Sequence, residues 1–417
     1  MRLLKRSAAF LIVVAMAASG GASTASASTT IDQLGSDIDG EAAGDSSGAN
    51  VALSADGTIV AISASQNDGS GSDAGHVRLF EWDGAAWVQK GGDIDGEAAD
   101  DWSGNSVSLS ADGSIVAIGA ILNDGANGND SGHVRVYEWD GTAWTQKGSD
   151  IDGEAADDYS GRSVSLSADG NIVATGASGN DGNGDSSGHV RLFEWDGATS
   201  TWVQKGGDID GEAADDYSGH SVSLSDDGSI VAIGAIFNGT ETSGHVRVYE
   251  WDGTAWTQKG SDIDGEAADD WSGWSPTLSA DGSIVAIGAV FNDGINGENS
   301  GHVRLYEWDG SAWQQKGNDI DGEEKADESG LSVSLSADGT IVAIGAHLND
   351  GINGENSGHV RVYSIATTQN ITTPEPDENV ELPATGPPNR IISQVLLVLG
   401  VGGLLMLFSR RRLNVRI

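Results

Sequence analysis

The chain of 417 residues contains no cysteine and few basic residues. Without cysteine, neither disulfides nor thiolate metal sites can stabilise it, so its stability must come from a buried core. Its 21 lysines and arginines stand against 63 aspartates and glutamates, which gives a formal net charge of −42. Such a surface repels nucleic acid and anionic lipid, and it favours divalent cations or basic partners.

Helical periodicity is absent from the repeated part of the chain, where six near-copies of one segment follow each other. The spacing between copies is 54 to 58 residues, measured between DIDGE motifs headed by Asp37, Asp93, Asp150, Asp208, Asp262 and Asp319. Self-similarity at such a period is typical of stacked arrays and propellers, whose units bury their apolar faces only against each other. Identical units rarely build an asymmetric catalytic site, so the repeat argues against an enzyme.

Each copy is predicted to form four antiparallel strands. In the copy headed by Asp93, the strand segments are residues 106–110, 115–120, 133–139 and 143–147, and turn-forming Gly and Asp residues separate them. Four strands per unit are typical of a propeller blade. The predicted fold is all-β: a six-bladed β-propeller over residues 28–363.

The ends of the repeat predict how the ring closes. The fourth strand, marked by the WDG-x-x-W pattern, occurs only five times, and the last copy breaks off after Tyr363. Residues 31–35 fit the register of residues 87–91, before the first DIDGE motif. We therefore expect this N-terminal strand to pair with the last blade and to close it, since a closed ring leaves no exposed sheet edge.

Both termini carry export features. Residues 1–27 have a basic start, an apolar run and an Ala25-Ser26-Ala27 cleavage site, which predicts a secretory signal peptide. Residues 364–381 are rich in Thr, Asn, Pro and acidic residues and predict a disordered spacer. Residues 391–408 are apolar and long enough to span a bilayer, and the basic residues 409–417 would stay in the cytoplasm.

This C-terminal region resembles the sorting signal of LPXTG cell-wall-anchored bacterial surface proteins. The motif residues are Leu382, Pro383, Ala384, Thr385 and Gly386. The resemblance implies that a sortase cleaves after Thr385 and anchors the chain at the cell surface, with the membrane contacted before processing. The alternative is a plain single-pass anchor that contains the motif by chance.

The repeats also resemble the FG-GAP repeat of integrin α-subunit-like propellers. The matching segments in the second copy are residues 104–107, 112–113, 116–120 and 132–137. The resemblance implies an extracellular propeller used for adhesion or ligand binding, often with calcium in its loops. The family's first aromatic is Ser103 here, and its calcium loop is reduced to residues 110–113 with the single carboxylate of Asp112. One carboxylate cannot supply the six to eight oxygens that calcium takes.

The DIDGE loops are a separate candidate for calcium, because carboxylates alternate there around a glycine. The candidate ligands in two of these loops are Asp93, Asp95, Glu97, Asp101, Asp150, Asp152, Glu154 and Asp158. The alternative is that they are turn-forming residues on a solvated acidic rim.

Aromatic residues stand beside these carboxylates in four of the loops. The candidates for stacking on a sugar ring are Trp102, Tyr159, Tyr217, Trp271 and Trp274. The alternative is that they pack between blades.

No nucleophile–base pair or phosphate-binding glycine loop is recognisable. The residues that depart from the repeat consensus are His220, His347, Arg162, Lys325, Trp274 and Pro276. We interpret them as lying at different positions of the unit, which favours no shared site. The sequence thus predicts a non-catalytic adhesion or ligand-binding module with a glycan or protein ligand. A structural envelope component without a specific ligand is the alternative, and a propeller hydrolase or lyase is less favoured.

Overall fold

The computed structural model describes residues 33–239, 241–350 and 356–365. Within these residues the chain forms β-strands and no helix. The strands make six antiparallel sheets, arranged as the blades of a β-propeller, which confirms the predicted fold class. The predicted signal peptide, sorting motif and transmembrane segment lie outside the described residues.

The strand bounds repeat from blade to blade. Blade 1 contains β1 (Val51–Leu53), β2 (Ile59–Ala64), β3 (His76–Trp82), β4 (Trp87–Gln89) and β5 (Ile94–Asp95). Blade 2 contains β6 (Ser103–Leu109), β7 (Ile115–Ala120), β8 (His133–Trp139), β9 (Trp144–Gln146) and β10 (Ile151–Asp152). Blade 3 contains β11 (Ser160–Leu166), β12 (Ile172–Ala177), β13 (His189–Asp196), β14 (Thr201–Gln204) and β15 (Ile209–Asp210). Blade 4 contains β16 (Ser218–Leu224), β17 (Ile230–Ala235), β18 (His245–Trp251), β19 (Trp256–Gln258) and β20 (Ile263–Asp264). Blade 5 contains β21 (Ser272–Leu278), β22 (Ile284–Ala289), β23 (His302–Trp308), β24 (Trp313–Gln315) and β25 (Ile320–Asp321). Blade 6 contains β26 (Ser332–Leu335), β27 (Ile341–Ala346) and β28 (His359–Ser364).

The fourth strand of each complete blade is interrupted. In blade 2, β9 pairs with Tyr137–Trp139 of β8, and the two-residue β10 pairs with His133 and Val134 of the same strand. The Ile and Asp of the DIDGE motif therefore belong to the edge of the preceding blade, as well as to the connection between blades.

The turn between the first two strands explains why an Asp-Gly pair recurs in every unit. The Asp112 carboxylate accepts hydrogen bonds from the Ser110 hydroxyl at 2.8 Å and from the Ser114 backbone N–H at 2.9 Å. Gly113 has a φ of 66°, a left-handed conformation that glycine adopts without steric cost. The turn delivers the chain into β7, all six residues of which are buried.

The apolar cores lie between consecutive blades. One cluster joins Ile115 and Val134 of blade 2 to Leu166, Val173 and Phe193 of blade 3. Because each blade buries its faces against its neighbours, the repeat accounts for most of the stability.

The tryptophan hairpins fasten each blade to the one before. Trp139 and Trp144 are cross-strand neighbours with ring centroids 5.4 Å apart. The Trp144 indole N–H also donates to the Lys90 carbonyl of blade 1, at 2.7 Å. These pairs therefore have a structural role.

The N-terminal segment contacts blade 1 in the way that the outer part of each blade contacts the next blade. The Leu34 carbonyl accepts a hydrogen bond from the Trp87 indole N–H at 2.9 Å, the position that Lys90 takes against Trp144. The Asp39 carbonyl accepts a hydrogen bond from Arg78 of blade 1 at 2.8 Å. The Asp95 carbonyl accepts the equivalent bond from Arg135 of blade 2. The segment thus lies where the outer strand of a preceding blade would lie.

Pairing of that segment with the last blade is not seen in the described residues. The sheet of blade 6 has three strands there, and Val360 and Val362 of β28 are 68% and 64% exposed. On the other end of the array, Val51 and Leu53 of β1 are 62% and 59% exposed. Residues 31 and 32 lie outside the described part, so the closing strand stays a prediction.

Within the described residues, no helix is long and apolar enough to cross a membrane. The apolar segment 391–408 is not among these residues.

Candidate functional site

Four of the predicted stacking residues occupy one strained backbone position. Trp102, Tyr159, Tyr217 and Trp271 each precede the first strand of a blade, with φ between 52° and 57°. Bulky residues rarely adopt this left-handed conformation, which costs roughly 1–2 kcal/mol per residue. The same position holds Ser46 in blade 1 and Glu328 in blade 6, so the fold itself does not require an aromatic ring there.

The aspartate before each aromatic residue holds the loop in place. The buried Asp101 carboxylate accepts from the Ala98 backbone N–H at 2.9 Å and from the Asn123 amide at 3.1 Å. Asp158 accepts from the Ala155 N–H at 2.9 Å in the same way. These two predicted metal ligands therefore have structural partners.

A bulge in the first strand places one side chain beside the aromatic residues in each of blades 3, 4 and 5. In blade 3, Ser160 pairs with Ala177 and Ser163 with Gly176, which leaves Gly161 and Arg162 as the bulge. The same register shift occurs in blades 2, 4 and 5. Bulges of this kind re-aim side chains beside functional sites.

Three of the non-consensus residues share this bulge position. They are Arg162, His220 and Trp274, which stand in the motif SGxS of consecutive blades. The interpretation that they lie at different positions of the unit is therefore wrong. Their equivalence lies in the glycine that precedes each of them, since Gly161, Gly219 and Gly273 all stand in the bulge.

All five predicted stacking residues line one cavity of about 480 Å³. We call this cavity the aromatic pocket; Trp102, Tyr159, Tyr217, Trp271, Trp274, Arg162 and His220 line it. The remaining lining residues follow the second strands of blades 2, 3 and 4: Ile121, Leu122, Ser178, Ile236 and Phe237. The pocket lies where the first strands begin and the second strands end.

The rings of the pocket contact each other closely. Trp271 and Trp274 are nearly parallel, with centroids 5.8 Å apart and planes 17° apart. Phe237 meets Tyr217 and Trp271 edge-on, at 5.1 and 4.7 Å. The five predicted stacking residues, and Arg162 and His220 with them, are all half-buried. Part of each side chain therefore remains accessible from the cavity.

Arg162 and His220 form the polar part of the pocket. An Arg162 Nη2–H group donates to Nε2 of His220 at 2.8 Å. Because arginine only donates, Nε2 is the acceptor and the neutral imidazole carries its proton on Nδ1. Burial and then the charge of Arg162 lower the pKa of His220 to about 3. Burial also lowers the pKa of Arg162.

The bulge position is one of the places where the repeats differ. The bulge position reads Ala49, Asn105, Arg162, His220, Trp274 and Leu331 along the chain. The second strand below it stays nearly constant, as IVAIGA in blades 2, 4, 5 and 6. The bulge residues that line the pocket therefore differ from blade to blade, while the strand that supports them does not.

A second feature, repeated around the ring, is a cluster of Glu, His and Asp. The described residues contain five such clusters: Glu41–His76–Asp93, Glu97–His133–Asp150, Glu154–His189–Asp208, Glu212–His245–Asp262 and Glu266–His302–Asp319. The ligand atoms within each cluster lie within 4.8 Å of one another, which is compatible with a metal ion.

The sequence predicts that the carboxylates of one DIDGE loop bind calcium together, but the structure places them in two different clusters. Asp93 joins the cluster of Glu41, whereas Glu97 of the same loop joins that of Asp150. The Asp95 carbonyl accepts from Arg135 at 2.7 Å, and the Asp152 carbonyl accepts from Arg191 at 2.6 Å.

An arginine stands beside each of these glutamates. Arg135 Nη1 lies 3.6 Å from Glu97 Oε1, and Arg191 lies 3.6 Å from Glu154. Burial lowers the pKa of His133 to about 4, and burial raises the pKa of Glu97. Two carboxylates and one imidazole are fewer oxygens than calcium takes, and the guanidinium already supplies positive charge to the cluster.

No family model matches the chain, and no curated protein sequence matches it. Among solved structures, a Bacteroides uniformis protein with a provisional assignment as a 6-phosphogluconolactonase is similar, with a TM-score of 0.52 and 12% identity. That similarity covers 76% of this chain and 80% of the other. Kuenenia stuttgartiensis hydrazine synthase has a TM-score of 0.47 and 12% identity, over 71% of this chain and 73% of the other. At such identity the first likeness supports the β-propeller fold and nothing about activity, and the second carries no argument.

Proposed function

We propose that this chain is a non-catalytic ligand-binding module of the bacterial cell surface, which holds a ring-bearing ligand such as a saccharide in the aromatic pocket. The observation that carries the proposal is the convergence of Trp102, Tyr159, Tyr217, Trp271 and Trp274 on one cavity. Half-exposed aromatic faces bind flat apolar surfaces such as the faces of sugar rings. Concave apolar sites with a few polar groups are typical of ligand pockets.

The composition of the pocket supports binding over catalysis. Among the described residues that line it, there is no carboxylate. His220 is held as a neutral acceptor by Arg162, so it has no acidic residue to orient it as a general base.

The strain of the aromatic position distinguishes this proposal from a purely structural envelope component. Serine and glutamate fit the left-handed position in blades 1 and 6, so the Trp and Tyr of blades 2 to 5 add a strain for which ligand binding would account. The alternative predicts no saturable binding by the pocket.

The surface location rests on the sequence. The signal peptide 1–27, the LPATG motif at 382–386 and the resemblance to FG-GAP repeats support an exported, wall-anchored propeller. Mass spectrometry of envelope-linked protein tests this, since sortase processing leaves Thr385 as the last residue. Release of a chain ending at Ile417 would contradict it.

Calcium dependence is the remaining part of the proposal, and the five acidic clusters support it. The neighbouring arginines oppose it, because they provide the charge that an ion would provide. Thermal unfolding with added calcium and with EDTA shows whether the clusters bind calcium or are compensated by the arginines alone. An unchanged midpoint removes calcium from the proposal and leaves the aromatic pocket unaffected.

The central experiment is a glycan array and protein panel probed with the purified full-length chain. We expect saturable binding to a saccharide and a loss of about tenfold or more in the Trp274→Ala variant. Ile295→Ala is the matched control, because Ile295 is exposed and lies outside the pocket. Equal binding by both variants would contradict the assignment of the pocket.

A further inference from the structure

Within the described part of the chain, Arg162 has neither a carboxylate nor a backbone carbonyl as a partner of its guanidinium, unlike the arginines of the third strands. Each third strand begins with His-Val-Arg, and five of these six arginines lie within 4.0 Å of a glutamate: Arg78, Arg135, Arg191, Arg247 and Arg304. The sixth, Arg361, donates to the Asp321 carbonyl at 2.7 Å. Among the described residues, no carboxylate lies as close to Arg162 as these glutamates lie to the five arginines. Its cation therefore stands uncompensated in a chain that carries a formal charge of −42.

The surroundings of Arg162 make this uncompensated charge costly. The side chain is half-buried among Trp, Tyr and Phe rings, where its charge is poorly solvated. A charge in such a place gains most from an anion, because interactions between charges strengthen as water is excluded. The only hydrogen bond of its guanidinium among the described residues is the one to His220.

His220 orients the guanidinium without neutralising it. It accepts a single N–H group through Nε2, and its neutral ring adds no charge. Since a guanidinium has five N–H donors in a planar fork, the others remain for a ligand. A planar fork of this kind matches a carboxylate in a bidentate arrangement.

We propose that the aromatic pocket selects a ring that carries a carboxylate, with the ring against Tyr217 and Trp274 and the carboxylate on Arg162. The inference rests on the proposed function and specifies further that the ligand is negatively charged. The same chemistry is present in a uronic acid unit of a polysaccharide and in a small aromatic acid. The polysaccharide is the source that we favour, because a cavity of about 480 Å³ is larger than a single small aromatic acid requires.

Other positively charged residues do not explain the same selectivity. The lysines that follow the fourth strands do not line the pocket. Four of them pair with glutamates of the third strands, and Lys147 donates to Asn171 at 3.3 Å; the four are Lys90, Lys205, Lys259 and Lys316. Within the described lining of the pocket, Arg162 is the only residue that is cationic at neutral pH. The acidic remainder of the protein repels anions, so a preference for an acid would have to come from this one side chain.

The test compares matched ligands by isothermal titration of the purified full-length chain. The probes are an oligogalacturonate, the same oligosaccharide after reduction of its carboxyl groups, and benzoate. We expect the oligogalacturonate to bind about tenfold or more tighter than its reduced form, because a hydrogen bond between charged groups is stronger than a neutral one. We also expect added salt to lower the affinity for the oligogalacturonate and to leave the affinity for the reduced oligosaccharide unchanged.

Two variants make the assignment specific. Arg162→Gln is expected to bind both oligosaccharides equally, and Arg162→Lys is expected to keep part of the preference. Circular dichroism and the unfolding midpoint show whether each variant remains folded. If Arg162→Gln does not fold, Arg162→Lys and the salt dependence of the native chain provide the test.

The outcomes separate this inference from the proposed function. Equal binding of both oligosaccharides to the native chain, with loss of both in Trp274→Ala, overturns the inference and keeps the pocket. Preference for the acid that persists in Arg162→Gln overturns the role of Arg162. Binding of benzoate but of neither oligosaccharide keeps the carboxylate site and assigns it to a small aromatic acid. Binding of none of the three probes overturns the inference.

Discussion

Arg162 of blade 3 donates a hydrogen bond to His220 of blade 4, at 2.8 Å between Nη2 and Nε2. The two residues are 58 positions apart in sequence, and they occupy the same bulge position in consecutive units. Trp274, the equivalent residue of blade 5, extends the row, with its ring centroid 4.8 Å from that of His220. One variable position per repeat has thus produced a continuous surface from three different side chains.

The strained aromatic residues provide the first prediction. Tyr159→Gly should leave the stability unchanged or raise it, because relief of a φ of 57° offsets the packing that is lost. Ligand binding should fall at the same time. Urea unfolding and titration of the ligand, each on the same preparation, check both parts.

A stability loss well above about 2 kcal/mol would contradict this expectation. It would mean that these aromatic residues pack between blades, which is the alternative that the sequence left open. Ser46→Gly is the matched control, since Ser46 has the same conformation without an aromatic ring.

The second prediction concerns the close approach of blades 3 and 4. A Cβ atom added to Gly176 would overlap the carbonyl oxygen of Gly219, which belongs to the neighbouring backbone and cannot move aside freely. Gly176→Ala should therefore lower the free energy of unfolding by several kcal/mol, on the order of 2–4. Gly207→Ala is the control, because nothing lies within 4 Å of its added Cβ. Similar urea midpoints for the two variants would show that this blade contact is looser than described.

The third prediction is a loss of stability in mild acid. Burial and then Arg191 lower the pKa of His189 to about 4, below its ordinary value of 6.5. The unfolded chain therefore takes up a proton between pH 6.5 and 4 while the folded chain does not. The contribution of neutral His189 to the free energy of unfolding is complete above pH 6.5, and it is lost as the pH falls from 6.5 to 4.

For this one histidine, the loss between pH 7 and pH 5 amounts to about 2 kcal/mol. His189→Gln should show a correspondingly flatter dependence of the unfolding free energy on pH. Val203→Ala, an exposed change without a titrating group, should keep the slope of the native chain. A variant with an unchanged slope would mean that His189 is not buried in its neutral form.

The fourth prediction tests the N-terminal segment. Deletion of residues 28–36 removes the Leu34 carbonyl, which accepts the hydrogen bond of Trp87 at 2.9 Å, and exposes the Trp82–Trp87 pair. We expect a loss of about 1–2 kcal/mol from the contact with blade 1 alone. A much larger loss would show that the segment also closes the last blade.

The measurement is urea unfolding of the mature chain with and without residues 28–36. Trp87→Phe serves as a control that removes the hydrogen bond but keeps the segment. Native-like unfolding of the deletion variant would exclude both the contact with blade 1 and the closure of the ring.

The scaffold could be predicted from sequence because its determinants are local and repeated six times. Alternation in residues 106–110, the apolar run 115–120 and the Asp112–Gly113 turn each specify their element without reference to distant residues. The interruption of the fourth strand was missed, because Ile94 and Asp95 read as part of a loop until their pairing with β3 is known.

The candidate site was predicted in part. The aromatic residues were recognised individually, because exposed rings beside acidic loops are unusual. Arg162 and His220 were not predicted as site residues, although both follow the glycine of an SGxS motif in the sequence. The Glu97–His133–Asp150 cluster could not be predicted, since it joins residues from the two ends of a unit.

The sequence by itself determined the repeated blade, its turns and the apolar faces between blades, because these depend on short-range patterns that recur in every unit. Only the tertiary structure decided which side chains meet. The bulge after Ser160 places Arg162 in the aromatic pocket, where blade packing brings it to His220, and His220 contacts Trp274. A site formed across blades depends on distances between residues more than 50 positions apart, and no local pattern contains them.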